Sequence, residues 1–266
     1  MRSEERQSYI LKHARKNGFI SIPKTAKTLE ISVETVRRDI NILCSKNLLR
    51  KVHGGAAPIK TPIRKDPDFY VRIHQNQQEK IAIGKEAESL IRPGDVVALG
   101  YGATVQTMVS SLSNVQDVTF VTNSLNIGNM LLDKLTSGEI TGKVLMIGGE
   151  LSLQSRSTGG TFATDEVDQC HFDLAIISCS SLSVSGAADS TLTAASYTRH
   201  LMEHAASTIL LVDSEKLAKN SVYRFAGLTD FDHIITDNKV PCPSEIMERL
   251  GSSNTQLTVV NSTEKD

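Results

Sequence analysis

Residues 32–39, Ser-Val-Glu-Thr-Val-Arg-Arg-Asp, carry the most specific side-chain chemistry in the chain. A guanidinium such as that of Arg37 or Arg38 can bind phosphate oxygens or the O6/N7 edge of guanine, and Thr35 can reach a thymine methyl group or a phosphate. Because neighbouring residues point about 100° apart on a helix, the two arginines must take different roles. These residue types therefore predict contacts with duplex DNA.

A helix is needed to present these side chains, and the sequence predicts one that begins after Ser32 and runs to Ser45. Ser32 can cap this helix by accepting a hydrogen bond from one of its first free backbone N–H groups. Apolar residues recur at spacings of three and four, so one face packs and the other stays free. A short helix at Thr25–Leu29 and a turn at Glu30-Ile31 precede it, which is the spacing of a helix-turn-helix.

A basic wing is predicted to follow the helix. Leu48–Val52 is predicted to be a strand that turns at Gly54-Gly55. The candidate DNA-binding residues are Lys24, Ser32, Glu34, Thr35, Arg37, Arg38, Asn41, Lys51 and His53. Two alternatives remain open. The two arginines could solvate a helix face and pair with Glu34 or Asp39, and His53 could be a turn residue with satisfied hydrogen bonds.

The distribution of charge favours DNA binding by the first part of the chain alone. Residues 1–60 contain thirteen Lys and Arg against five Asp and Glu, a net charge of +8. The remaining residues contain 16 basic and 25 acidic side chains, so the overall charge of −1 conceals two oppositely charged parts. A basic head on an acidic body is expected to bind a polyanion through the head.

The composition predicts a two-domain protein. A chain of 266 residues with 39% hydrophobic content can bury one sizeable core and a small one. Its four cysteines show no paired metal spacing and are interpreted as reduced thiols. Neither a secretory segment nor an apolar run of about 18 residues is found. We therefore expect a soluble cytoplasmic protein with no membrane partner.

The domain boundaries follow from changes in composition. Residues 1–57 are assigned to the winged helix-turn-helix, and 58–76, with three prolines, to a linker. In residues 77–255, short apolar runs alternate with helical patterns, which predicts a mostly parallel α/β sheet of about five to seven strands. Residues 256–266 are assigned to a final strand and tail. In such sheets a ligand binds at the carboxyl ends of the strands.

Small and polar clusters follow several of the predicted strands. Glycines let backbone N–H groups approach a ligand, helix N-termini attract anions and a lysine adds positive charge, so together they could hold a phosphate. Each cluster alone could simply end a strand. The clusters are Gly100–Thr104, Thr122–Ser124, Gly148-Gly149, Ser157–Thr161 and Asp213–Lys216. They predict a phosphorylated small molecule as the ligand.

One motif offers a rival interpretation. His200-Leu201-Met202-Glu203-His204 matches the inverted zinc-protease pattern H-x-x-E-H, in which two histidines hold zinc and a glutamate is the base. No further metal ligand is identifiable in the sequence, and the segment runs directly into an apolar strand. A surface helix is the preferred interpretation, so neither a metal nor another cofactor is expected.

These motifs together resemble bacterial DeoR-type transcriptional regulators over almost the whole chain. They are Arg37-Arg38-Asp39, His53-Gly54-Gly55-Ala56, Thr122-Asn123-Ser124-Leu125, Gly148-Gly149 and Asp213-Ser214-x-Lys216. The resemblance implies a winged helix followed by a sensor domain similar to ribose-5-phosphate isomerase. It also implies that the protein represses sugar-catabolism genes until a phosphorylated sugar binds. By position, Arg37 and Arg38 would contact DNA. The effector would be bound by Gly102, Thr104, Asn123, Ser124, Gly149, Gly160 and Lys216, with Gly148 as a further candidate.

Departures from the family pattern fall in the sensor. Gly100 stands where an Asp is usual, and Ala103 stands at the position of the following hydroxyl. Ser178–Ser181 replaces a Gly-x-Asp-Gly-like turn, and Ala194-Ala195 lies where an acidic residue is usual. Loss of carboxylates that bind sugar hydroxyls, with the anion-binding elements kept, implies an altered or weakened sugar specificity.

Three functions compete. The preferred hypothesis is a DNA-binding regulator, without enzyme activity, whose partners are double-stranded operator DNA and a phosphorylated sugar and which forms a homo-oligomer, a dimer or tetramer. The first alternative is a sugar-phosphate isomerase with a nucleic-acid-binding appendage, although the thinned carboxylates argue against turnover. The second is a sensor that has lost ligand binding and serves only for oligomerisation.

Overall fold

The computed structural model of the protein describes residues 3–45, 48–58 and 69–262. The chain divides into two compact units, Met1–Thr61 and Pro62–Asp266. The first contains the basic segment, and the second contains the acidic remainder. Among the described residues, no helix combines the length and the apolar composition needed to span a bilayer.

The first unit is a small three-helix domain with a three-stranded antiparallel sheet. Its elements are α1 (Ser3–Asn17), β1 (Ile20–Ser21), α2 (Ile22–Leu29), α3 (Val33–Ser45), β2 (Leu49–Val52) and β3 (Gly55–Pro58). The strands lie in the order β1–β3–β2. Val36, Ile40 and Leu43 of α3 are buried against Ile10 of α1 and Leu49 of β2. The predicted apolar stripe of α3 therefore packs, and the winged helix-turn-helix is present.

Both ends of the turn between α2 and α3 have clear local causes. Glu30 adopts the left-handed conformation, with φ of 52°, and so ends α2. Ser32 Oγ accepts a hydrogen bond from the backbone N–H of Thr35 at 3.1 Å, as predicted for a helix cap. The direction of α3 is therefore set at its first turn.

Asp39 has a structural role that the sequence did not reveal. Its side chain is only 2% exposed, and Arg6 donates to both carboxylate oxygens, from Nε to Oδ2 at 2.8 Å and from Nη2 to Oδ1 at 3.3 Å. The hydrogen bond to Asp39 holds the pKa of Arg6 above its ordinary value. Asp39 thus fastens α3 to α1, and the alternative in which it pairs with Arg37 or Arg38 is wrong.

The second unit is built around a parallel sheet of seven strands. Its elements are α4 (Phe69–His74), α5 (Gln77–Glu88), β4 (Val96–Leu99), α6 (Ala103–Ser111), β5 (Val118–Thr122), α7 (Leu125–Ser137), β6 (Gly142–Met146), β7 (Glu150–Ser152), β8 (Ser157–Gly159), α8 (Thr161–Val167), β9 (Phe172–Ser178), β10 (Ser181–Ser183), β11 (Gly186–Asp189), α9 (Leu192–Glu203), β12 (Ala205–Leu211), a 3₁₀ turn (Ser214–Lys216), β13 (Tyr223–Ala226), β14 (His233–Asp237), α10 (Ser244–Gly251) and β15 (Gln256–Val260). The strand order of the sheet is β15–β14–β12–β9–β4–β5–β6.

Helices cover both faces of this sheet, which is why its central strands contain continuous apolar runs such as Leu174–Ile177. In β9, Leu174 and Ile176 pack into the core beneath α5, α6 and α7, whereas Ala175 and Ile177 pack into the core beneath α8, α9 and α10. The predicted fold class, a winged helix-turn-helix followed by a parallel α/β domain, is confirmed.

The structure differs from the sequence-based assignment in two places. The segment 58–76 was predicted to be a linker, but it contains the helix α4, whose Phe69 is 2% exposed; residues 59–68 lie outside the described part of the chain. The strand pair β7–β8 and the small sheet β10–β11–β13 were not predicted. These strands are only three or four residues long, so their sequences are too short to establish the alternation that indicates a strand.

Candidate nucleic-acid interface and small-molecule cavity

The outer face of α3 presents the candidate DNA-binding side chains together. Glu34, Arg37, Arg38 and Asn41 are exposed, and Thr35 is partly exposed. Oε2 of Glu34 and Nη1 of Arg37 lie 3.5 Å apart, and the two side chains are 82% and 59% exposed. Because solvent screens this weak contact, the arginine stays available for DNA. The residues of this face can enter a major groove without unpacking the domain.

The remaining candidates flank α3. Ser32 is exposed at its first turn and Lys24 is exposed on α2. In the wing, Lys51 is exposed on β2 and His53 is exposed in the turn that follows. Arg50 is also exposed on β2 and was missed as a candidate, although its position in a basic strand was the available signal. The wing therefore offers two adjacent cations for phosphate contacts.

A cavity of about 660 Å³ opens at the carboxyl ends of the central strands of the second unit. The turn after β4 and the turn after β9 form part of its wall, with contributions from α4, β11 and the 3₁₀ turn. Its lining residues include Phe69, Arg72, Gly100, Tyr101, Gly102, Ser155, Ser178, Cys179, Asp189, Ser190, Thr191, Thr198 and Lys216. The wall therefore combines many hydroxyl groups with apolar side chains, which include Ile177 and Val222.

Two cations line this cavity from different elements. Lys216 is almost completely buried, and its Nζ donates to the carbonyl oxygen of Cys179 at 2.9 Å and lies 3.3 Å from Oδ2 of Asp213. Arg72 comes from α4, the helix that the sequence had assigned to a linker, and was not among the predicted site residues. A cavity with two cations is suited to an anionic ligand.

One carboxylate lies among the residues that line this cavity. Asp189, at the end of β11, accepts hydrogen bonds at Oδ1 from Ser180 Oγ at 2.9 Å and from Ser180 N–H at 3.2 Å. The sequence had predicted that carboxylates were lost from this region, and Asp189 was missed because β11 was not recognised as a strand. A group that can bind sugar hydroxyls is therefore present.

A second cavity, of about 310 Å³, adjoins the first and shares five lining residues with it, Tyr101, Ser152, Ser155, Thr191 and Ala194. Two of the predicted effector-binding residues, Asn123 and Gly160, line this second cavity. Asn123 is buried; its Nδ2 donates to the carbonyl oxygen of Thr158 at 2.6 Å, and its Oδ1 has no hydrogen-bond partner among the described residues. Gly102 and Lys216 line the larger cavity.

The other four predicted effector residues do not line either cavity. Thr104 is buried in α6, where its Oγ1 has no partner in the described part of the chain. Ser124 caps α7, because its Oγ accepts from the N–H of Ile127 at 3.3 Å. Gly148 donates its N–H to Oε2 of Glu166 at 2.7 Å, and Gly149 follows it outside the cavity walls. Thr104 and Ser124 therefore belong to the starts of helices, and Gly148 and Gly149 to the turn after β6.

The histidines of the H-x-x-E-H motif face a carboxylate that the sequence had not connected with them. His200 Nδ1 and His204 Nε2 lie 2.5 Å and 3.2 Å from Oδ1 of Asp168. The contact with His200 holds the pKa of Asp168 below its ordinary value. No group of three potential ligands suited to a metal ion occurs among the described residues. The three side chains link α8 to α9.

Comparison with protein families gives two matches that together span most of the chain. Residues 6–61 match the DeoR-like helix-turn-helix domain. Residues 75–238 match the DeoR C terminal sensor domain. The first match covers nearly all of the described winged helix, and the second contains every lining residue of the two cavities except Phe69 and Arg72 of the larger one.

Several named proteins are similar over nearly the full chain. The transcriptional repressor AccR of Agrobacterium fabrum is 31% identical over 89% of this chain and 90% of its own length. The HTH-type transcriptional repressor GlcR of Bacillus subtilis is 30% identical over 94% and 95%. The glycerol-3-phosphate regulon repressor of Escherichia coli is 25% identical over 97% and 99%.

Solved structures show weaker similarity. Ribose 5-phosphate isomerase A from Methanocaldococcus jannaschii matches with a TM-score of 0.38 at 18% identity, over 55% of this chain and 56% of that one. The β subunit of eIF2B from Chaetomium thermophilum matches with a TM-score of 0.36, also at 18% identity, over 55% and 40%.

Proposed function

The chain belongs to the DeoR family of transcriptional regulators, and on that premise we propose that it is a repressor whose operator binding is released by a phosphorylated sugar. The winged helix binds duplex DNA, and the larger cavity of the second unit binds the effector. A ligand changes DNA affinity only through different affinities for the DNA-competent and incompetent states of the protein.

The cavity that combines two cations, a carboxylate and many hydroxyl groups is the observation that carries the effector assignment. Arg72 and Lys216 supply positive charge for a phosphate, while Asp189 and the surrounding hydroxyl groups suit the hydroxyls of a sugar. The cavity volume of about 660 Å³ is in the range of pockets that hold small molecules. Among the similar proteins, one is named for the glycerol-3-phosphate regulon, which fits a phosphate ester as ligand.

The DNA-binding side of the proposal assigns direct roles by position. Arg37 and Arg38 contact base edges or phosphates in the major groove, Thr35 and Asn41 assist on the same face, and the wing binds phosphate. One winged helix offers a small interface, so we propose a homo-oligomer, a dimer or tetramer, whose paired heads bind a palindromic operator.

Family membership places the chain among regulators rather than enzymes. The isomerase alternative requires a carboxylate base poised at the substrate carbon together with an acid or electrophile. We expect no interconversion of ribose 5-phosphate and its ketose when the mixture is followed by NMR. Steady interconversion would favour the isomerase over the regulator.

The central experiment measures DNA binding by the full-length chain with and without candidate effectors. The duplex is selected from a random pool by the chain itself, and the panel contains glycerol 3-phosphate, ribose 5-phosphate and glucose 6-phosphate beside glycerol, ribose and glucose. We expect at least one phosphate ester, and no unphosphorylated partner, to raise the Kd for the duplex. Equal effects of a sugar and its phosphate, or no effect from the whole panel, would contradict the proposal.

Replacement of Lys216 tests the phosphate site. We expect Lys216→Met to weaken binding of the active ester by about 10- to 100-fold, because a charge-assisted hydrogen bond is lost from a desolvated site. Isothermal titration calorimetry on the full chain measures this change. Lys134→Met is the matched control, since Lys134 Nζ likewise binds one carbonyl oxygen and one carboxylate, those of Leu112 and Glu139, but lines neither cavity. Equal losses in both variants would remove Lys216 from the site.

Replacement of Asp189 tests recognition of the sugar hydroxyls. We expect Asp189→Asn to lower affinity for the active ester by about five- to tenfold, because hydrogen bonds to a charged acceptor become neutral ones, and to leave binding of inorganic phosphate unchanged. Calorimetric titration with both ligands measures the difference. Asp230→Asn is the control, since Asp230 also accepts from a backbone N–H, that of Gly227, away from the cavities. A parallel loss for inorganic phosphate would contradict a hydroxyl-binding role.

A further inference from the structure

The helix α4 lines the larger cavity and also lies next, in sequence, to the segment that joins the two units. It supplies Phe69 and Arg72 to the wall of the larger cavity. It is also the first described element after residues 59–68, through which the chain leads from the winged helix into the second unit. The helix that lines the cavity is therefore also the part of the second unit that lies nearest in sequence to the DNA-binding domain.

The carboxyl end of α4 is held by a side chain of the following helix, α5. Lys80 of α5 is only 2% exposed, and its Nζ donates to the carbonyl oxygens of Arg72 and of Gln75, the latter at 2.6 Å. A buried ammonium at the last carbonyls of a helix both satisfies them and complements the helix dipole. The end of α4 is thus held firmly against α5.

Asn76 lies in the turn between α4 and α5 and contacts the loop that carries Lys216. Its Nδ2 donates to Oδ1 of Asp213 at 3.1 Å, and its Oδ1 accepts from Nζ of Lys239 at 2.7 Å. Asp213 is 2% exposed and contacts Nζ of Lys216 through its other oxygen. A path of polar contacts therefore runs from the cavity cation through Asp213 to Asn76, which follows the last residue of α4, His74, by two positions in the chain.

We propose that Asn76 is a positioning residue that couples occupancy of the cavity to α4, and thereby to the DNA-binding domain. The inference rests on the proposed effector function of the same cavity. An anion that binds Lys216 competes with Asp213 for the ammonium, and the change in Asp213 is passed to Asn76 because the two share a hydrogen bond. Asn76 itself does not line either cavity, so its effect is on coupling rather than on contact with the ligand.

Two substitutions isolate the side chain without disturbing the backbone. Asn76 adopts the left-handed conformation, with φ of 51° and ψ of 44°. Asn76→Gly keeps that conformation readily accessible and removes the side-chain contacts with Asp213, Lys239 and Glu215. Asn76→Asp keeps the acceptor for Lys239 but replaces the donor that faces Asp213 with a second carboxylate. If the hydrogen bond to Asp213 carries the coupling between the cavity and DNA binding, both variants must lose that coupling.

The experiment measures coupling as the ratio of Kd values for the selected duplex with and without saturating glycerol 3-phosphate, ribose 5-phosphate or glucose 6-phosphate, whichever acts on the unaltered full-length chain. Couplings of this kind are about 5- to 150-fold. In both variants we expect the ratio to fall towards one, while the Kd for DNA without ester stays within about twofold and the ester still binds the free chain. A purely structural role would leave the ratio unchanged.

Asn126→Ala is the control, because Asn126 also bridges two side chains, those of Gln106 and Arg156, and none of the three lines a cavity. It should keep the full ratio. A normal ratio in Asn76→Gly or Asn76→Asp, or an equal loss in Asn126→Ala, would overturn the inference while leaving the effector function intact. Failure of the unaltered chain to respond to any ester would overturn the proposed function, and this inference with it.

Discussion

Replacing Arg37 and Arg38 together with alanine should lower the affinity of the full-length chain for its selected duplex by at least about 30-fold. Each arginine that contacts a base edge or a phosphate contributes about 1–3 kcal/mol, and the two contacts lie on different sides of α3. Stability should not change, because both side chains are exposed and the contact of Arg37 with Glu34 is solvent-screened. Fluorescence anisotropy over a series of salt concentrations measures the loss.

The salt series separates the two possible roles. An arginine that binds only phosphate reduces the slope of log K against log salt by about one and weakens all sequences alike, whereas one that binds guanine relaxes specificity at a single position. The matched control is Arg92→Ala with Arg249→Ala, which removes the same charge from exposed positions of the second unit. Equal losses of affinity in the two double variants would show that net charge, and not the α3 face, binds DNA.

The fold of the first unit could be predicted from its sequence because the signals are local. The cap at Ser32, the apolar stripe of α3 and the glycine turn of the wing are each set by residues a few positions apart. The pairing of Asp39 with Arg6 joins residues 33 positions apart, and nothing in the local pattern distinguished it from a pairing with Arg37 or Arg38. The exposed face could thus be predicted, whereas the ion pair that fastens α3 to α1 could not.

The second unit shows the same division between local and long-range information. Its central strands could be predicted because helices cover both faces of the sheet and the strands are continuously apolar. The cavity wall depends instead on α4 and β11, which are short, and on how they pack against distant turns. Arg72 and Asp189 were missed for that reason, and Thr104 and Ser124 were included because a position after a strand does not determine where a side chain points.

The His53-Gly54-Gly55-Ala56 motif of the wing leads to the second large effect, which concerns stability. The two glycines have different physical requirements. Gly54 has φ of +75°, and a Cβ placed on it would meet nothing within 4 Å. Gly55 has an ordinary backbone conformation, but its Cβ would lie 1.9 Å from the backbone carbonyl oxygen of Ile20, in the strand β1 that pairs with β3. Only at Gly55 must the sheet itself move to admit a side chain.

We therefore expect Gly55→Ala to destabilise the first unit by about 3 kcal/mol, the upper part of the range for overpacking, because a backbone atom cannot rotate away. Gly54→Ala should cost only about 1 kcal/mol, the strain of a left-handed alanine. In a domain of this size, Tm should fall by more than about 10 °C in Gly55→Ala and by about 4–8 °C in Gly54→Ala. Calorimetry of the full-length chain measures both.

The affected transition is identified by adding the selected duplex, since a ligand of the first unit raises the transition of that unit most. The transition of the second unit should stay in place in both variants and serves as an internal reference. DNA affinity measured well below the transition should fall more in Gly55→Ala than in Gly54→Ala, because separation of β3 from β1 displaces the strand β2 that presents Arg50 and Lys51. If the two variants lowered Tm equally, the close approach of Gly55 to Ile20 would not limit the wing.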